Sequence, residues 1–149
     1  MRKGFTLIEL LIVIMVIAIL IGIALPRFRG MQDEASTTKA AAELRTLQTA
    51  VESWYIHRNP HSYPTTGGAW QTPLTTATPQ IIGAVLNDPF NGTTPYQFAV
   101  SANGQYYVIW SVGAGRTSGA LAVSNTGVIT GADADDIYVS NGTSGTGGF

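Results

Sequence analysis

The chain has 149 residues, enough for one modest domain plus a separate N-terminal segment. Charged residues make up 11% of it and the formal net charge is −1, which leaves no basic surface for a nucleic acid. There is no cysteine, so a disulfide framework, a thiolate metal site and a thiol nucleophile are all excluded.

The first element is a long apolar helix. From Leu10 to Leu25, sixteen residues carry no charge, and only Gly22 interrupts the bulky side chains. Counted from Phe5, the segment would be roughly 31 Å long as a helix, enough to cross the hydrocarbon of a bilayer. Arg2 and Lys3 precede it, and by the positive-inside rule they keep the N-terminus cytoplasmic and send the rest outward. A cleaved secretory signal would have a shorter apolar core and a small-residue cut site after it. Here the apolar run leads straight into Pro26-Arg27-Phe28, and the glycine lies before it, at Gly4. Glu9 is the anomaly, because a carboxylate near the start of such a segment is costly and therefore points to function.

The run Lys3-Gly4-Phe5-Thr6-Leu7-Ile8-Glu9-Leu10 resembles the processing signature of type IV pilins and the related secretion pseudopilins. The resemblance implies cleavage after Gly4 by a prepilin peptidase, methylation of the new terminus at Phe5, and retention of the apolar segment as a filament-core helix. Phe5 and Glu9 stand at i and i+4, on one face of a continuous helix. The implied partner of Glu9 in the filament is the Phe5 ammonium of an adjacent subunit. An unpaired carboxylate in lipid would then become a paired one in the assembly and set subunit register, a recognised use of polar groups among apolar helices.

Beyond the span, Pro26 removes one helical hydrogen bond and crowds the preceding turn, so with Gly22 it marks a point of kinking. Helical periodicity then resumes, with Leu44, Leu47, Val51 and Trp54 forming one apolar stripe behind Ala40-Ala41-Ala42. Asn59-Pro60 predicts the end of the helix near Arg58. A loop rich in Pro, Thr and Gly follows, and Ile81–Leu86 reads as a short helix or strand. Strands are predicted at Tyr96–Val100, Gln105–Val112 and Ala120–Ser124, with Val128–Thr130 as a fourth. Ala102-Asn103-Gly104 is a hairpin turn, and the run from Ser140 to Phe149 is compositionally a flexible tail. The expected fold is α+β: a long N-terminal helix, half transmembrane and half amphipathic, packed on a small antiparallel sheet. The segments are a leader (1–4), a transmembrane and filament-core helix (5–26), an amphipathic helix (27–58) and a loop-rich sheet head (59–149).

The head is also similar to the major pseudopilin of type II secretion. The resemblance rests on Asp88-Pro89-Phe90, Pro95-Tyr96-Gln97-Phe98, the Ser111-Val112-Gly113 turn and Asp135-Asp136-Ile137. It implies a calcium ion in the following loop, for which Asp133, Asp135 and Asp136 supply hard oxygen donors. This chain departs from the family there, with Gly113-Ala114-Gly115-Arg116 in place of Gly-Ala-Asp-Gly and a longer insert before Asp133. A solvated acidic turn is the alternative reading.

Other signals point away from catalysis. His57 and His61 are separated by Pro60 and lack a third ligand, and Ser and Thr show no nucleophile elbow. No phosphate loop occurs, so the ATPase that drives assembly must be a separate protein. Asn91-Gly92-Thr93 and Asn141-Gly142-Thr143 match a glycosylation sequon but read as turns. The expected function is therefore that of a structural subunit and not an enzyme. It would be held in the bacterial inner membrane before assembly and form a helical homopolymer, with an inner-membrane assembly platform and minor pseudopilins or pilins as further partners. Within this class the pseudopilus of type II protein secretion competes with a surface pilus for adhesion, motility or DNA uptake. A membrane-anchored binding protein is the reading from another class.

Overall fold

The apolar stripe at helical spacing does form a helix. In this computed structural model, which describes residues 4–117 and 119–143, α1 runs Leu7–His57. It passes through Gly22 and Pro26 without a break in its assignment and stops one residue short of the predicted end, before Asn59-Pro60. The chain divides into two units, Met1–Ala35 and Ser36–Phe149, which are described separately. In the first, nearly every described side chain is exposed, and an 18-residue window of the helix has a mean hydropathy of 3.2 with 0% buried.

The second unit holds the core. Ala40, Leu44, Leu47, Ala50 and Val51 are buried and Trp54 partly so, which is the stripe expected from the sequence. α2 (Thr72–Thr76) follows, a five-residue helix with Pro73 near its start and Leu74 buried. Three antiparallel strands, β1 (Gln97–Val100), β2 (Tyr107–Ser111) and β5 (Ile137–Ser140), form a sheet in the order β1-β2-β5. Val100 pairs with Tyr107, and Val108 with Ser140. β3 (Ala122–Val123) and β4 (Ile129–Thr130) form a separate two-stranded ribbon.

Alternation along β2 explains the layering. Tyr107 and Ile109 join Phe98, Ile137 and the α1 stripe in the main core, with Trp70 and Leu74. Val108 and Trp110 face the other way and are buried with Leu121, Val123 and Ile129. The sheet is thus covered on both faces, one by helix and one by the β3–β4 segment. That is why every β2 residue is buried although a face-on-helix sheet would leave half of them wet.

Two expectations change. Ile81–Leu86 is neither helix nor strand. Its chain is pinned by Ile81 N–H and Ile82 N–H donating to the single carbonyl of Leu74, which places Ile82 in the core without regular structure. The run expected to be a tail begins as structure: Ser140 closes β5 and Thr143 bridges to Val128. Residues 144–149 lie outside the described residues.

Candidate functional site: the processing segment and the acidic loop

The N-terminal site is built on the start of α1. Gly4, Phe5 and Thr6 precede the helix, and Phe5 is 80% exposed. Glu9 N–H donates to the Thr6 hydroxyl at 3.3 Å, and Leu10 N–H to the Thr6 carbonyl at 3.2 Å. Thr6 is therefore the N-cap and Glu9 occupies the first turn, where a negative charge faces the positive end of the helix dipole. Thr-x-x-Glu before an apolar run is the sequence signature of a capping box, and it could have been read at Thr6. Because α1 starts at Leu7, Phe5 is outside the helix and does not share a face with Glu9 by helical periodicity. Both are exposed. A Cβ added at Gly4 or Gly22 would meet nothing within 4 Å, so neither glycine is required by packing within the chain.

The second region surrounds the Ser111-Val112-Gly113 turn. Asp88, 1% exposed, accepts from Phe90 N–H (3.0 Å) and the Ser111 hydroxyl (2.8 Å) on one oxygen. Its other oxygen accepts from Val112 N–H at 2.8 Å. The Asp-Pro-aromatic turn and the Ser-x-Gly turn, 23 residues apart, are thus one hydrogen-bonded unit. Gly113 has φ +65 and a Cβ there would collide with the Asp135 carbonyl, so only glycine fits.

Beyond this turn the predicted calcium ligands separate into two environments. Asp135 Oδ2 accepts from Gly115 N–H at 2.5 Å. Asp133 Oδ2 and Asp136 Oδ2 lie 3.2 and 3.1 Å from where a Cβ on Gly119 would stand, and the Gly131 carbonyl oxygen 2.7 Å from it. Asp136 Oδ2 accepts from Asp133 N–H at 2.8 Å, whereas its buried Oδ1 has no partner among the described residues. Burial pushes the Asp136 carboxyl above the usual carboxylate range, opposed by the Asp133 N–H and reinforced by the charges of Asp133 and Asp135. Among the described residues no three acidic or histidine groups form a cluster able to hold a metal. The donors that approach Gly119 are two carboxylates and a carbonyl, all oxygen, the kind a hard cation takes.

The histidines are local. His57 Nδ1 lies 2.7 Å from the Ser53 carbonyl, and His61 Nδ1 2.9 Å from that of Tyr55. A groove of about 1200 Å³ runs beside α1, lined by Thr49, Ser53, Trp54, Arg58, Thr72 and Pro79 among others. Its Trp54 ring is stacked by the Arg58 guanidinium at 4.5 Å. Four aromatic side chains of the head serve packing: Trp70, Tyr107 and Trp110 are buried in the two clusters and Tyr106 packs against the second.

An apolar N-terminal helix preceded by a glycine, with a capped start and a single early carboxylate, is the arrangement that the resemblance to pilin-type subunits implies, and the comparisons place the chain in that class. Residues 1–25 match the prokaryotic N-terminal methylation motif. Residues 27–126 match the family described as type II secretion system (T2SS), protein G, and the chain belongs to that family. It is a family of structural subunits, not of enzymes. The chain is 32% identical over 65 residues to a type II secretion system core protein G of Escherichia coli (strain K12), covering 44% of this chain and 43% of that one. It is 30% identical over 74 residues to a protein of the same name from Klebsiella michiganensis, covering 50% and 51%. A fimbrial protein of Pseudomonas aeruginosa is 46% identical over 52 residues, 35% of this chain and 34% of that protein. These matches span between a third and a half of the relatives' length. No solved structure matches significantly.

Proposed function

We propose that this chain is the filament subunit of a type II secretion pseudopilus. The observation that carries the reading is Glu9, a carboxylate at the capped start of a helix whose next sixteen residues are uncharged. The cap accounts for its place in the first turn, and an assembly that supplies a countercharge would pair it once the helix leaves water. In this reading a prepilin peptidase cuts after Gly4 and Phe5 receives the methyl group. The apolar helix anchors the subunit in the inner membrane, N-terminus cytoplasmic and head outside, until an assembly platform and its separate ATPase draw it into a helical homopolymer with minor pseudopilins. Glu9 then meets the Phe5 ammonium of a neighbour. Mass spectrometry of the mature protein tests this: residues 1–4 should be absent and the Phe5 amine should carry one methyl group. An intact Met1, or a cut after Leu25, overturns it. Glu9→Gln should insert normally and yield few or no sheared filaments.

A second reading, a type IV pilin of a surface pilus, is favoured by the 46% identity to the fimbrial protein over 52 residues. Deleting the gene would separate the two: loss of exoprotein secretion supports the first, loss of surface fibres the second.

We further propose that calcium binds at the acidic loop, through Asp133, Asp136 and the Gly131 carbonyl, with Asp135 bracing the 113–116 turn. Support comes from the buried Asp136 Oδ1, which has no partner among the described residues, and from the three oxygens that crowd the Gly119 position. Calcium at one hundred times its dissociation constant would add about 2.7 kcal/mol to stability. The melting temperature should rise with calcium and fall with chelator, and Asp136→Asn should abolish the response. No shift in the wild type would leave a solvated turn.

A further inference from the structure

The apolar part of α1 from Leu7 to Pro26 has twenty residues, about 30 Å of helix, which matches the hydrocarbon thickness. The next three residues are Arg27, Phe28 and Arg29, all exposed, with Phe28 at 61%. Successive helical residues turn by about 100°, so the two arginines leave on nearly opposite sides with the aromatic ring between them. Among the described residues neither arginine is in an ion pair. Arginines at the end of a span carry their charged heads to the interface while their stems, here with the Phe28 ring between them, cover apolar surface.

The charge balance along the chain sharpens the point. Arg2 and Lys3 flank the span on one side and Arg27 and Arg29 on the other, two basic residues each. The flank read as outward is therefore no poorer in cations than the inward one, contrary to the usual bias. Cleavage after Gly4 removes the first pair and leaves Arg27 and Arg29 as the basic residues that border the span. Two exposed guanidiniums at headgroup depth find their countercharge in lipid phosphate, to which the planar fork of arginine can bind in bidentate fashion.

We infer that Arg27-Phe28-Arg29 is a lipid-binding collar that grips the phosphates of anionic phospholipids in the outward leaflet and fixes the depth of the subunit before assembly. This rests on the membrane-spanning reading above. After cleavage the collar holds the subunit from the head side, while the opposite end, with its ammonium and Glu9, is free to enter the bilayer on the way to the filament.

The test uses the full chain in bilayers of phosphatidylcholine with and without phosphatidylglycerol, in buffer free of inorganic phosphate. Solid-state NMR recoupling between lipid phosphorus and arginine guanidinium nitrogen reads the contact, and oriented circular dichroism reads the helix direction. Wild type should show guanidinium–phosphorus contacts that strengthen with phosphatidylglycerol and are largely lost in Arg27→Gln/Arg29→Gln. A transmembrane helix whose contacts are the same in the double variant overturns the collar and leaves the spanning reading intact. A helix lying in the membrane plane overturns the spanning reading, and the collar with it.

Discussion

Asp88 receives three hydrogen bonds at 2.8–3.0 Å, from Phe90 N–H, Val112 N–H and the Ser111 hydroxyl, while 1% exposed. A buried carboxylate is stable only with such satisfaction, and the donors in turn lose their partner when it is removed. Asp88→Ala should therefore lower the unfolding free energy of the head by about 3 kcal/mol, measured by tryptophan fluorescence in denaturant. Asp88→Asn, which keeps one acceptor oxygen, should cost less. The residues involved were visible in the sequence as motifs, but their mutual hydrogen bonds were not, because Asp88 and Ser111 are joined only by the fold. Glu9 shows the opposite case. Its anomaly was legible from composition alone, and the local reason for tolerating it, the Thr6 cap, was written three residues upstream.

Two phenols tie α1 to the sheet. Tyr96 donates to Glu43 Oε2 at 2.6 Å and Tyr107 to Glu52 Oε1 at 2.8 Å. Burial first, then the bonded glutamate, pushes both phenols well above the ordinary range, and burial with the Glu52 charge pushes Tyr63 up to about 12. A raised phenol favours the folded state while it holds its proton. This stabilisation is complete below the unfolded value near 10 and is lost as pH climbs from there through about 12. The head should thus hold its stability at neutral pH and melt cooperatively in that alkaline window, read as loss of near-ultraviolet circular dichroism. Tyr96→Phe should flatten the dependence, and a dependence unchanged in Tyr96→Phe would refute the link. Among the elements, the hairpin was legible because Asn103-Gly104 supplies the turn, and Gly104 does take φ +70. α2 was missed because five residues with three threonines and a proline carry no period. β5 was missed because its four residues sit between an acidic turn and a Gly-rich run, and pair with β2 from 26 or more residues away. Ile81–Leu86 looked regular because apolar residues cluster there, yet the clustering reflects burial on one carbonyl anchor.

At the scale of the molecule, the buried residues of both clusters run from Ala40 to Ile137, all inside the unit Ser36–Phe149. The described residues up to Ala35 contribute none of them, although they include the most apolar part of the sequence. Hydrophobicity that does not build a core must be met by a different surrounding; under the proposed function that is first lipid and then the helices of other subunits. A chain beginning at Ser36 should consequently fold as a soluble monomer, with a melting temperature within about 5 °C of the full protein in detergent. Circular dichroism melts and size-exclusion chromatography would check this, since helical signal and a single sharp transition report the core and elution volume reports the association state. A truncated chain that melts broadly, or that aggregates without detergent, would mean that residues 1–35 are needed for the head to fold. A sharp transition in a monomer would separate the two tasks. The stability of the head would then rest on the α1 stripe and the two-faced sheet, leaving the sequence of the first 35 residues free to be set by the cleavage, membrane residence and assembly that the proposed function asks of them.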